Sequence, residues 1–224
     1  MPNAKLKLCP ICGFEDDSIE NRKKDKWHPH KELGCPHCLS AGRHRMIWLI
    51  YTKLKERRKD FSGKMLHCSP MKCLKEKFIK DFVYISIDFP PRESRLGVTR
   101  ADLNQDLRDT FFRDNYFDVI VCVAVLDYIE KTEKAIQEIY RITKPGGTAF
   151  ITVPIFKDEK SKRMKKPELN RWWRCGLDFF QKYIDAGFRV KVIESIHIKD
   201  HEKYGLIGDY LALCQKPCGE SKLC

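Results

Sequence analysis

Apolar positions fall into three regimes along this chain. The first forty residues have no steady period. The stretch "LSAGRHRMIWLIYTKLKERRKDF" (39–61) then sets Ile47, Ile50, Tyr51 and Leu54 at helical spacing, with basic residues gathered towards its end. From residue 64 onward, short apolar runs alternate with amphipathic stretches. "KMLHCS" reads as a strand, "MKCLKEKFIKDF" as a helix, "VYISIDF" as a strand and "YFDVIVCVAVL" as a longer strand. "TEKAIQEIYRITK" is an amphipathic helix, and "GTAFITVP" is again a strand. This alternation predicts βαβ units and an α/β fold with a mostly parallel, doubly wound sheet. A strand covered on both faces should be apolar throughout, as "VIVCVAVL" is.

The 224 residues suffice for one such domain with a small accessory module. Hydrophobic content of 42% and charged content of 33% fit a soluble globular chain. No apolar run approaches the ~20 residues of a membrane helix, and "MPNAKLKLCPICG" lacks the apolar core of a signal peptide. A cytoplasmic protein with no membrane partner is expected. In that compartment eleven cysteines point to metal ligation and free thiols more than to disulfides. The net charge of +12 fits either anionic partners such as RNA or a lysine-rich surface, and does not choose between them.

"CPIC" (9–12) and "CPHC" (35–38) are two C-x-x-C knuckles whose sulfurs can close a tetrahedral thiolate site. Cys9, Cys12, Cys35 and Cys38 are the expected ligands of a zinc ribbon. The polar stretch between the knuckles could hardly build a core unaided, so a metal would supply the folding free energy. Four thiolates close the site, which leaves His28, His30 and His37 as ordinary polar residues. Arg43, His44 and Arg45 open the helix that follows, either as anion ligands or as hydrated surface.

The segment "YFDVIVCVAVLDYIEKTEKAIQEIYRITKPGGTAFITVP" resembles the fourth-to-fifth-strand region of class I S-adenosylmethionine-dependent methyltransferases of the type 11 kind. In those enzymes a "FDxIxxxxVLEHI" strand is followed by a helix carrying "REIxRVLKPGG". The ribbon, the "RHR" and the "LHCSP" of the first strand also resemble a subgroup that replaces the usual glycine-rich turn. The resemblance implies a Rossmann-like, seven-stranded sheet and S-adenosylmethionine as cofactor beside Zn(2+). It also implies four parts: a ribbon at 1–42, a linker helix at 43–62, a methyltransferase domain at 63–217 and a tail at 218–224.

Cofactor contacts are expected from the turn after the first strand (His67, Ser69), from Asp88 and from the strand end at Cys122 and Ala124. Ser69 can cap the next helix, with Pro70 in its first turn. Asp88 closes the second strand, where an acidic side chain can bond ribose hydroxyls. Asp102 matches the family's acidic position before the fourth strand, which implies contact with the adenine amino group. Where many relatives read "HVLEH" this chain reads "AVLDY", so a histidine base is missing. Asp127 and Tyr128 are the catalytic candidates left at that strand end. A dehydrogenase would be expected to show G-x-G-x-x-G, which is absent.

Residues 157–174 carry eight Lys/Arg against three acids around Trp172, Trp173 and Arg174. They read as a mobile lid on the acceptor side. The acceptor is expected to be a small molecule or a glycan, with RNA, or a non-catalytic nucleic-acid-binding module on the same fold, as alternatives. Cys214, Cys218 and Cys224 near the end could form a second metal site.

Overall fold

The computed structural model describes residues 6–16, 20–21, 33–58, 61–90 and 99–218. Four two-residue strands come first: β1 (Lys7–Leu8) with β2 (Glu15–Asp16), and β3 (Glu20–Asn21) with β4 (Leu33–Gly34). Then follow α1 (Gly42–Arg57), β5 (Lys64–Cys68), α2 (Lys72–Phe78), β6 (Val83–Asp88), β7 (Leu103–Asn104) and β8 (Phe117–Val123). A 3₁₀ turn at Leu126–Tyr128 leads into α3 (Thr132–Ile142) and β9 (Thr143–Thr152). The chain continues through β10 (Lys162–Glu168), β11 (Arg171–Arg174), α4 (Gln181–Asp185), β12 (Arg189–Glu194) and β13 (Tyr210–Gln215). His28, His30 and Cys224 lie outside the described residues.

Seven strands form one sheet in the order β12-β13-β9-β8-β5-β6-β7. Strands β7, β6, β5, β8 and β9 run parallel, while β13 is antiparallel to both β9 and β12. The chain winds outward from β5 in one direction and from β8 in the other. This is the Rossmann-like sheet expected from the sequence, with its switch point between β5 and β8. The run "VIVCV" is apolar because both of its faces are covered. Ile120 and Cys122 pack with α3 residues Ala135, Ile136, Ile139 and Ile142. Val119, Val121 and Val123 pack with Met46, Ile47 and Tyr51 of α1 and Leu74 and Phe78 of α2. Each of these fully buried aliphatic side chains contributes roughly 1.5–3 kcal/mol by leaving water.

The "KPGG" segment lies inside β9, where 143–148 opposes only 117–119 of β8, a bulge and not a separate turn. Gly146 there has φ 77°, and a Cβ on Gly147 would come within 2.8 Å of the Lys144 carbonyl oxygen.

Three local expectations are corrected. His44 and Arg45 are neither hydrated nor open to an anion. His44 is 2% exposed, and its Nδ1 accepts the Ala41 N–H at 2.9 Å, capping α1. Arg45 is fully buried because residues 204–205 fold over the helix start. Its guanidinium donates to the carbonyl oxygens of Ser40 (2.6 Å), Tyr204 (2.8 Å) and Gly205 (3.0 Å). Residues 162–174 form an antiparallel hairpin, with Lys162 opposite Arg174 and Arg163 opposite Trp173. The segment expected as a lid is thus a paired hairpin, tied to the 3₁₀ turn through buried Arg171. Cys214 sits inside β13 in the core, Cys218 is disulfide-bonded, and among the described residues only the Cys9 group has a metal-binding arrangement. Among those residues no helix is long and apolar enough to cross a membrane.

Candidate functional site

At the carboxyl ends of β5, β6 and β8 a cleft of about 350 Å³ opens. Its floor and walls include Cys68, Ser69, Asp88, Asp106, Arg108, Tyr128 and Trp172. This is where a doubly wound sheet places its ligand, because the two directions of winding leave a crevice.

The turn after β5 does without glycine. Ser69 has φ 53°, and its N–H donates to the Ile87 carbonyl at 2.8 Å. Met71 is the N-cap of α2 and no side chain caps it, so the capping role expected of Ser69 is not there. The turn after β8 behaves alike: Ala124 has φ 50° and its N–H donates to Thr152 O at 2.9 Å. Both strand ends bordering the cleft thus hold non-glycine residues in the left-handed region, a conformation that gathers at functional sites.

Asp88 is 7% exposed at the end of β6, and its Oδ1 accepts the Phe89 N–H at 3.2 Å. It lines the cleft with Ser69, as the sequence suggested. The other expected cofactor residues lie elsewhere. His67 points to the opposite face of the sheet, where its Nδ1 meets the Tyr84 hydroxyl at 2.9 Å. Its Nε2 is buried without a hydrogen-bond partner. Burial, with Lys75 adding repulsion, holds this imidazole neutral, its pKa lowered to about 3. Alternation along β5 is the reason: Cys68 faces the cleft and His67 faces away. Asp102 is tied to β6, accepting from the Ser86 N–H (2.9 Å) and hydroxyl (2.7 Å) and pairing with Lys75 at 3.0 Å. Four residues further on, Asp106 lines the cleft and grips Arg108 by both oxygens at 2.5–3.0 Å. Arg108 holds the Asp106 carboxyl below its usual range. Glu138 anchors that loop from α3 by accepting from Thr110 N–H at 2.8 Å. Burial opposes its ionisation, but Arg141 and Thr110 outweigh it and keep the carboxyl below its usual range.

Cys122 is fully buried in the core, and its contact with Cys68 and its burial push the thiol well up, so it is no nucleophile. Ala124 is absent from the cleft lining, its place taken by Val125. Asp127 is 1% exposed and accepts from Arg171 Nη1 at 2.6 Å, which locks the hairpin onto the 3₁₀ turn. Burial raises its carboxyl more than Arg171 and Arg43 lower it. Tyr128 does line the cleft, with the Arg171 guanidinium 4.7 Å from its ring centre. The tryptophans divide. Trp172 joins the cleft, whereas Trp173 donates to the Glu130 carbonyl at 3.1 Å and packs edge-on against Phe179. Arg174 is paired with Glu159 and stacked on Phe156. Gln105, Leu107 and Arg108 escaped the sequence reading, because nothing in their spacing marks a strand-end loop that folds back over a cleft.

The four knuckle sulfurs lie within 4.8 Å of one another and could hold a metal ion. Cys9 Sγ is 3.6 Å from Cys38 Sγ, and Cys12 Sγ is 3.7 Å from Cys35 Sγ. Those edges match the ~3.8 Å of a tetrahedron with metal–sulfur bonds of about 2.3 Å. The knuckles share one backbone plan. Gly13 and Leu39, at φ 77° and 60°, donate their N–H groups back to Cys9 O and Cys35 O. The Ser40 hydroxyl lies 3.4 Å from Cys9 Sγ and 3.2 Å from Cys38 Sγ. Contact with Cys38 and burial push the metal-free Cys9 thiol up to about 12, so a cation's charge is what would hold these sulfurs as thiolates.

Comparison with known proteins agrees with this geometry. Residues 60–151 match the model of a methyltransferase domain family, Methyltransf_11. None of the curated proteins matches the sequence. Similar solved structures include the [4+2]-cyclase SpnF, 17% identical with TM-score 0.54, covering 76% of this chain and 81% of that one. An S-adenosylmethionine-dependent methyltransferase from Archaeoglobus fulgidus is 14% identical with TM-score 0.50, over 75% of this chain and 94% of its own. A Listeria monocytogenes structure assigned to the same enzyme class is 13% identical with TM-score 0.50, over 74% and 97%. At such identities the structural likeness speaks for the fold alone. The sheet thus has the Rossmann-like methyltransferase fold, and the stretch that matches a methyltransferase domain spans residues 60–151.

Proposed function

We propose that the chain is an S-adenosylmethionine-dependent methyltransferase whose cofactor occupies the β5–β6–β8 cleft and whose four cysteines hold a structural zinc ion. One observation carries the reading. The stretch that matches a methyltransferase domain contains both strand ends of the switch point, and the cleft formed there has a buried acid, Asp88, at the end of β6. Asp88 would hold the ribose hydroxyls, and the Ser69 turn would face the amino-acid end. Ile87, Leu107, Val125 and Ile129 supply the apolar wall. The cofactor brings an activated methyl group, and the protein's part is alignment and exclusion of water.

The acceptor side of the cleft is the wall made by Tyr128, Glu130 and Trp172. Asp127 is buried against Arg171 and does not line the cleft, which leaves Tyr128 as the catalytic candidate facing it. An already nucleophilic acceptor needs no base. A ring that can stack on Trp172 suits a sugar or a nucleobase, so a small molecule or glycan and RNA both remain compatible acceptors.

The test is calorimetry with S-adenosylmethionine. Saturable binding is expected, and absence of heat at millimolar ligand would overturn the reading. A binding module without turnover is the second reading, favoured by the altered first turn. Transfer of radiolabel from methyl-labelled cofactor to fractionated cell extract supports an enzyme; cofactor binding with no transfer to any fraction supports the module.

A further inference from the structure

Outside the cleft, β10 of the β10–β11 hairpin presents to solvent a row of exposed cationic residues that the cleft itself does not use. We infer that this hairpin docks single-stranded nucleic acid, with the backbone phosphates along β10 and a base turned into the cleft against Trp172. This deepens the acceptor side of the function proposed above and rests on that reading only for what happens inside the cleft.

Four bases, Lys162, Arg163, Lys165 and Lys166, stand exposed on β10. Arg163 pairs with Glu130 at 2.7 Å, and Glu130 lines the cleft, so the basic strand begins at the rim. Among the described residues, Lys162, Lys165 and Lys166 make no ion pair. The backbone spreads these charges over roughly 13 Å of chain, at about 3.3 Å per residue, on both sides of the strand and with a register shift against β11 between Arg163 and Glu168. A single phosphate on a metabolite would call for side chains converging on one point; charges spread along an edge suit a repeating polyanion. Among the described residues β10 pairs only with β11, which leaves its outer edge open to such a chain.

The cleft has the opposite character. Asp88, Asp106 and Glu130 line it, and its one base, Arg108, is held by Asp106. Phosphates are repelled there, while the neutral face of a base can stack on Trp172 and Tyr128. A basic track beside an aromatic platform is the usual design for single strands, where stacking tolerates any base. The division of charge between hairpin and cleft would therefore sort a nucleotide into backbone outside and base inside.

The experiment uses the full chain with bound zinc and fluorescein-labelled 12-mers of oligo(U) and oligo(dT), followed by anisotropy across a salt series. Either oligomer should bind. Combined Lys162→Gln, Lys165→Gln and Lys166→Gln should reduce the slope of log K against log salt by about 2, at ~0.7 per phosphate contact. The same variant should weaken binding at least roughly tenfold at low salt, and Trp172→Ala should weaken it roughly tenfold through lost stacking. Cofactor heat in the triple-lysine variant should equal that of the unaltered protein. No binding of either oligomer overturns the inference, as does a triple variant that binds like the unaltered chain. Heparin that binds while both oligomers do not overturns it in favour of an anionic glycan. Oligomer binding that persists where cofactor heat is absent upholds the inference and sinks the methyltransferase reading instead.

Discussion

On one face of the sheet, α1, α2 and the cysteine centre close over β5 and β8, so that Cys9, Ile11 and Cys35 share a core with Met65, Val121 and Phe150. On the other, α3 and α4 cover the middle of the strands, and at their carboxyl ends Cys68, Asp88 and Tyr128 open into the cleft. Both faces are built from the same strands, residue by alternate residue. The sealed face spends its polar groups on structure: His44 caps a helix, Arg45 ties down residues 204–205, and neutral His67 bonds Tyr84. The open face keeps Asp88 at a strand end beside two left-handed turns. The contrast teaches that a polar side chain near a ligand-binding edge has a role only if its parity is right.

The largest effect should come from the sealed face. If the metal centre is part of its core, Cys35→Ser or exhaustive chelation should cost several kcal/mol and lower the melting midpoint of the whole domain, followed by circular dichroism. A protein that loses its metal and melts unchanged would separate the centre from that core. Metal analysis of the untreated protein should return one zinc per chain.

Next is the lock between hairpin and 3₁₀ turn. Asp127→Ala takes away the carboxylate to which buried Arg171 donates and should cost ~3–5 kcal/mol in urea titration. A loss under about 1 kcal/mol would mean that the pair does not hold the hairpin. The tryptophans sharpen the parity argument. Trp173→Ala, removing a half-buried ring, should cost about 2 kcal/mol, below the ~3–5 of a fully buried one. Trp172→Ala should leave the urea midpoint near that of the unaltered protein.

His67 tests the sealed face by pH. Its folded pKa is lowered to about 3, so the native protein excludes a proton that the unfolded chain takes up near pH 6.5. Its favourable contribution is complete above that pH and is lost as pH falls from about 6.5 towards 3, at up to ~1.4 kcal/mol per unit. His67→Gln should flatten that part of the stability profile; an unchanged slope would show that His67 is not the group responsible. The smallest effect belongs to the open face. Ser69→Gly and Ala124→Gly each relieve ~1 kcal/mol of left-handed strain, less the entropy that glycine adds to the unfolded chain. Destabilisation by more than about 1 kcal/mol at either site would show that these turns carry no strain.

The sheet was legible because apolar runs and amphipathic stretches follow different periods, and Cys9, Cys12, Cys35 and Cys38 because ligand spacing is a local property. The place of Asp88 and Ser69 at the cleft was legible because each stands where a parallel strand ends at the carboxyl edge of the sheet. His67 and Trp173 were misplaced by a single residue of parity, which sequence near a strand end does not fix when neighbours on both sides are buried. Asp102 was exchanged for Asp106, since only the path of the loop decides which acid turns inward. The segment 157–174 read as a lid from its charge, and its pairing with the rest of the fold, through Arg171 with Asp127 and Trp173 with Glu130, spans long stretches of sequence. Composition does not report such contacts.

The most direct test of the two-face account is a crystal structure with S-adenosylhomocysteine. Ligand density in the cleft against Asp88 and Ser69, with His67 still on Tyr84 and away from the ligand, is the predicted result. Density on the α1 and α2 face beside His67, or a soaked crystal with the cleft empty and Asp88 untouched, would contradict it.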